Sequence, residues 1–153
     1  MKTFRDTTGR AWDLAVTIGT LKRIRSRLSV DLFSMHLGTP SLAERLVEDV
    51  ALQVDAIFIC IEPQARAAGV TDEQWAESMG GDAMAAAVDA FWEELIGFFL
   101  ASRPGTAELA RAARTAVRTR QLTSVLVAEA MRTTPGEPST GSPGSHAAEI
   151  PPA

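Results

Sequence analysis

Apolar and polar positions alternate with a period of two at the start of the chain and with a period near 3.6 over most of the remainder. Trp12, Leu14 and Val16 alternate with Ala11, Asp13 and Ala15, which predicts a strand with one apolar face. Ahead of it, Asp6-Thr7-Thr8-Gly9 places a short acceptor side chain before a glycine that can take positive φ, so residues 3–16 read as a β-hairpin. Phe4 contributes to the same apolar face from the first strand.

Helical spacing begins at Thr17, a plausible N-cap, with Ile18, Leu21, Ile24 and Leu28 on one face and Lys22, Arg23, Arg25 and Arg27 on the other. Val30, Leu32 and Phe33 prolong the apolar segment until Gly38-Thr39-Pro40 breaks it. Ser41 and Glu44 then form a capping box, opening a central core helix whose stripe runs Leu42, Leu46, Val50, Val54, Ile57, Phe58, Ile61, with an interruption near Asp49. Pro63 has no N–H to donate, so this helix is expected to end or kink there before a stop at Gly69. Thr71 and Gln74 make a second capping box for a short helix carrying Trp75. Gly80-Gly81 ends it, and Asp82 is expected to cap the next.

That next helix has Val88, Phe91, Trp92, Leu95, Ile96 and Phe99 on one face, a second core helix, with Asp89, Glu93 and Glu94 facing elsewhere. A last helix over roughly 106–131 follows Ser102-Arg103-Pro104-Gly105. It has a small-residue face at Leu109, Ala113, Ala116 and Val117 and a bulkier one at Leu122, Val125 and Leu126. From Thr133 onward Gly, Pro and Ser dominate, and such a segment cannot bury enough apolar surface to offset its conformational entropy. The expected architecture is mainly α: a globular domain over 1–132, with an N-terminal β-hairpin at 1–16 packed on a bundle of about five helices at 17–132, and a disordered C-terminal tail at 133–153.

Composition sharpens the picture. With 46% apolar residues in 153, the chain can build a real core, and it has no run of eighteen apolar residues to span a bilayer. Its net charge of -4 hides a partition: residues 1–40 carry seven Lys/Arg against three Asp/Glu, 41–96 two against twelve, and 97–153 six against four. Such a molecule could pair its own ends or stack on copies of itself. Cys60, the single cysteine, lies in an apolar run and reads as a buried structural thiol.

Catalytic chemistry is thin. No phosphate-binding loop, His-Glu-x-x-His, Cys-x-x-Cys or Gly-x-Ser-x-Gly element occurs, and the two histidines, His36 and His146, assemble no acid/base pair or metal cluster. No enzymatic activity and no cofactor or metal are expected. The adjacent carboxylates Glu48-Asp49 and Glu93-Glu94 diverge on a helix and read as solvated surface. Lys22, Arg23, Arg25 and Arg27 on the first helix, with Arg111, Arg114 and Arg118 along one side of the last, are the candidate partner-binding residues. Nucleic acid is the less favoured partner, because the chain is acidic overall and has no aromatic-rich basic strand.

Taken in order, several landmarks resemble one family. They are Phe4-x-Asp6-x-x-Gly9-Arg10-x-Trp12, Thr20-Leu21-Lys22-Arg23-Ile24-Arg25, Val30-Asp31-Leu32, Cys60-x-x-Pro63-Gln64-Ala65, Gly69-Val70-Thr71-Asp72-Glu73, Gly81-Asp82-Ala83 and Glu93-Glu94-Leu95-Ile96-Gly97-Phe98-Phe99. Together they resemble a family of small proteins of tailed phages and prophages, assigned as tail assembly chaperones or tail-module proteins, over about residues 3–117. The resemblance implies a non-catalytic protein of the bacterial host cytoplasm. Such a protein binds the long helical tape measure protein, assists assembly of the tail tube protein around it, and self-associates. The alternatives are a helical structural or adaptor protein retained in the particle and a small DNA-binding regulator.

Overall fold

The computed structural model describes residues 1–133. The Gly/Pro/Ser-rich segment expected to be disordered lies outside them, apart from Thr133. Strands β1 (Lys2–Arg5) and β2 (Ala11–Leu14) pair antiparallel with Phe4 opposite Trp12. As the alternation predicts, one face is buried: Phe4, Trp12, Leu14 and Val16 are 4%, 1%, 0% and 7% exposed.

The turn between the strands is organised by Asp6, which is itself buried. Its Oδ1 accepts from the Thr8 amide at 3.0 Å, the Thr8 hydroxyl at 2.6 Å and the Arg10 amide at 2.9 Å, while Oδ2 accepts from the Trp12 indole N–H at 2.9 Å. Gly9 takes φ +86°, the left-handed conformation that the tight return requires. The Arg10 guanidinium lies 5.6 Å from the centroid of the Trp12 ring, completing a unit that involves four of the residues in the Phe-x-Asp-x-x-Gly-Arg-x-Trp landmark: Asp6, Gly9, Arg10 and Trp12.

Among the described residues there are six α-helices, one more than expected. Helix α1 (Ile18–Leu28) starts at Thr17, whose hydroxyl accepts from the Thr20 amide, and buries Leu21 and Ile24. A single 3₁₀ turn at Leu32–Ser34 comes next. The extra helix arises at Asp49. The expected central helix is divided there into α2 (Leu42–Glu48) and α3 (Val50–Ala67), with extended backbone at Asp49, whose side chain caps α3 through the Leu52 amide. The buried Gln53 amide donates to the carbonyl of Leu46, in the last turn of α2, where the interruption leaves acceptors without helical partners. The capping box at Ser41 and Glu44 forms as expected, with the Ser41 amide donating to Glu44 at 2.7 Å.

Two expectations about helix ends are corrected. Helix α3 does not stop at Pro63 but runs through it to Ala67. One turn beyond the proline is held from outside: the Gln64 side-chain oxygen accepts from the Asp13 amide at 3.0 Å, its NH₂ donates to the Asp13 carbonyl, and Ala65 is fully buried. Tertiary anchoring to β2 thus offsets the hydrogen bond that proline removes. The helix does stop at Gly69, as expected, in a Schellman motif: Gly69 at φ +67° donates to Arg66 and Val70 donates to Ala65 at 2.8 Å. Helix α4 (Asp72–Glu77) has the predicted capping box at Thr71 and Gln74 and buries Trp75. Asp82, expected as a cap, is the first residue of α5 (Asp82–Ser102). Gly81 occupies the N-cap and no side chain caps the end.

Helix α6 (Pro104–Thr133) begins two residues earlier than predicted, with Pro104 at the first helical position, where its missing N–H costs nothing. Helix α5 is the centre of the molecule, packing on α6, on both strands and on α3, while α6 also packs on α2. Phe91, Trp92, Leu95 and Phe99 are among the residues α5 buries, and α6 buries Ala107, Ala110, Ala113 and Val117. These small residues let the two helices approach closely.

Candidate protein-docking surface

The candidate partner-binding cations divide into two groups held against different parts of the body. On α1, which packs on α3, Arg27 lies 2.8 Å from Glu62 and Arg25 lies 3.8 Å from Asp31. Lys22 is exposed, and Arg23 is half-buried with its Nε unpartnered. On α6, Arg111 pairs with Glu108, Arg114 lies 2.7 Å from Glu93 and 3.5 Å from Asp89, and Arg118 holds both oxygens of Asp89 at 3.1 Å. The structure does not merge these seven residues into one basic patch, and five of them are engaged with carboxylates of their own chain.

Charge partition along the sequence therefore becomes internal pairing. Lys2 reaches Glu93 at 2.8 Å, the N-terminal amine reaches Glu94 at 2.6 Å, and Arg120 reaches Glu48 at 3.1 Å, so both basic ends fold onto the acidic middle. Hydrogen bonds from Lys2 and Arg114 hold the Glu93 carboxyl below the usual range. Burial pushes Glu62 up, but hydrogen bonds and charge from Arg27 and Arg66 outweigh it, and the net shift is downward. Glu93 and Glu94, expected as solvated surface, are the acidic ends of these pairs.

Among the described residues, those with catalytic potential do not converge. Cys60 is buried and its thiol is pushed up to about 12, chiefly by burial. His36 is exposed on a loop, and His146 lies outside the described residues. Among the described residues no three His, Cys, Asp or Glu side chains are grouped to hold a metal ion, and no helix is long and apolar enough to cross a membrane.

Unspent apolar surface is concentrated at one place. After Val117 no residue of α6 is buried, so residues 118–133 form about 24 Å of helix extending past its last buried contact. The bulkier face anticipated from the sequence is here, but uncovered: Leu122, Val125 and Leu126 are 66%, 64% and 70% exposed, with Val127 and Met131 also open. Beside them runs a groove of about 600 Å³, walled by Val47 and Val50 of the α2–α3 break, floored by Met84 and Val88 of α5 and closed by Val117 and Val125 of α6. Val125 belongs to both the groove and the stripe, and Val50, which also lines the groove, is exposed.

The sequence carried this signal in the spacing of Leu122, Val125 and Leu126. What it lacked was the endpoint of the core, which the small residues up to Val117 set. Thr119, Thr123 and Ser124 donate their hydroxyls to carbonyls four residues back, a pattern of poor helix formers, so this segment has little intrinsic stability of its own. Comparison of the chain with protein-family models, with curated proteins and with solved structures finds no match.

Proposed function

We propose that this protein is a non-catalytic helical binding protein that acts as a phage tail assembly chaperone, taking up an apolar helical segment of the tape measure protein and assisting tail tube assembly around it. One observation carries the reading: α6 presents Leu122, Val125 and Leu126 to solvent beside an apolar groove, at the spacing by which helices grip helices. A short isolated helix is marginal in water, and an exposed apolar stripe of this kind marks a protein-binding surface. The ordered resemblance over residues 3–117 supports the choice of client. The pairing of Arg25, Arg27, Arg111, Arg114 and Arg118 with carboxylates leaves apolar area, rather than free cations, as the main surface resource.

Co-expression tests this. At matched levels, the cognate tape measure protein is expected to stay soluble with this chain and to precipitate without it. Equal insolubility in both cases rules the chaperone reading out.

A further inference from the structure

We propose that the cleft between α1, α3 and α4 is a docking site for a segment of another protein that inserts a lysine or arginine side chain between Asp55 and Asp72. The cleft encloses about 540 Å³ and shares no lining residue with the groove beside α6. One face of α3 makes its base: Asp55, Phe58, Ile59, Glu62 and Arg66 recur at helical spacing, and all five line it. Leu28 at the end of α1 and Val70 ahead of α4 add apolar walls. Phe58 is half-buried, and its ring centroid lies 5.5 Å from that of the fully buried Trp75, so this aromatic platform is backed by the core.

Charge selects the occupant. Three carboxylates and two guanidinium groups line the cleft, and they are unevenly matched. Glu62, about 10 Å along α3 from Asp55, takes both cations, Arg27 at 2.8 Å and Arg66 at 3.1 Å. The side chains of Asp55 and Asp72 have neither an ion pair nor a hydrogen bond among the described residues, and residues 134–153 contain no Lys or Arg to supply one. Burial, and then the charges of Asp72 and Asp49, push the Asp55 carboxyl up, so the folded chain holds two neighbouring carboxylates with no cation of its own opposite them. A basic side chain fits both parts of this surface: its aliphatic stem lies along Phe58, Ile59 and Leu28 while its charged head meets the carboxylates. An acidic segment would face the same two carboxylates and find both arginines already engaged.

The test uses neither the client nor the α6 face, so this proposal and the functional reading can fail separately. Two short synthetic peptides serve as probes, one with a lysine flanked by leucines and one with glutamine in place of that lysine, each titrated into the full-length chain at low salt and followed by NMR. The lysine peptide is expected to shift the signals of Asp55, Phe58 and Asp72 saturably and to bind more tightly than the glutamine peptide. Asp55→Asn with Asp72→Asn should weaken the lysine peptide roughly 10-fold. Because Asp72 also lies in the first turn of α4, Asp55→Lys alone is the second variant. Asp55 is exposed, so circular dichroism and the thermal midpoint should be retained, and preference should pass to a peptide with glutamate in the lysine's place. The proposal is overturned if no saturable shift occurs, if the lysine and glutamine peptides bind equally, or if either variant keeps the affinity of the parent. Methylammonium chloride that reproduces the lysine peptide's shifts at the same concentration would also overturn it, by reducing the site to a contact with a bare cation.

Discussion

Asp6 shows how much a single buried carboxylate can organise. It accepts four hydrogen bonds, from Thr8 twice, Arg10 and Trp12, and through Trp12 it fixes the largest side chain that the hairpin places on the helices. Asp6→Ala would leave the Trp12 indole and two amides without their acceptor and is expected to destabilise the protein by about 2–3 kcal/mol, read from the denaturation midpoint. Trp12→Ala should cost roughly 3–5 kcal/mol, because the ring is fully buried. Burial alone would raise the Asp6 carboxyl, but its hydrogen bonds with Thr8, Trp12 and Arg10 prevail, and the net shift is downward. A folded-state value below the unfolded one contributes stability above about pH 4, and that contribution is lost as the pH falls through the folded-state value. Asp6→Asn should therefore flatten the acid limb of the stability curve; an unchanged acid limb would assign acid unfolding to other carboxylates. Cys60, at the other extreme, takes part in none of this: native protein should resist thiol reagents and react promptly once denatured.

At the scale of elements, the ends of helices separate what local sequence dictates from what packing decides. The boxes at Ser41/Glu44 and Thr71/Gln74 and the cap at Thr17 were legible because each involves a side chain and an amide within four residues. Continuation of α3 past Pro63 was not, since the groups that hold it lie fifty-one residues away at Asp13. Gln64→Ala removes both bonds to Asp13 and is expected to fray α3 after Ile61, seen as faster hydrogen exchange at 65–70 and a loss of about 1–2 kcal/mol. Gly69→Ala, forced into the left-handed region without any side-chain clash, should cost about 1 kcal/mol by the same midpoint measurement. The division at Asp49 was visible as an interruption, but the role of Gln53 in closing it was hidden, because periodicity assigns a face to a residue and not a hydrogen-bond partner.

For the whole molecule, the sequence indicated the apolar supply and the charge partition but not how either is consumed. Both basic ends turn onto α3 and α5, so cations read as partner-binding residues are largely spent within the chain. Reversal of Arg27 to Glu is accordingly expected to act on folding through Glu62, whereas reversal of Lys22, which has no carboxylate partner among the described residues, should leave stability within about 0.5 kcal/mol of the parent. The apolar balance ends differently: the core closes at Val117, and sixteen further residues of α6 carry large apolar side chains into solvent. The proposed binding function rests on that excess, so the decisive measurement is the soluble fraction of the cognate tape measure protein co-expressed at matched levels with the wild-type chain or with its Leu122→Glu, Leu126→Glu variant. A soluble client is expected with the wild type and a precipitated one with the variant, although the variant itself remains folded; equal rescue by both would contradict the assignment of binding to this face.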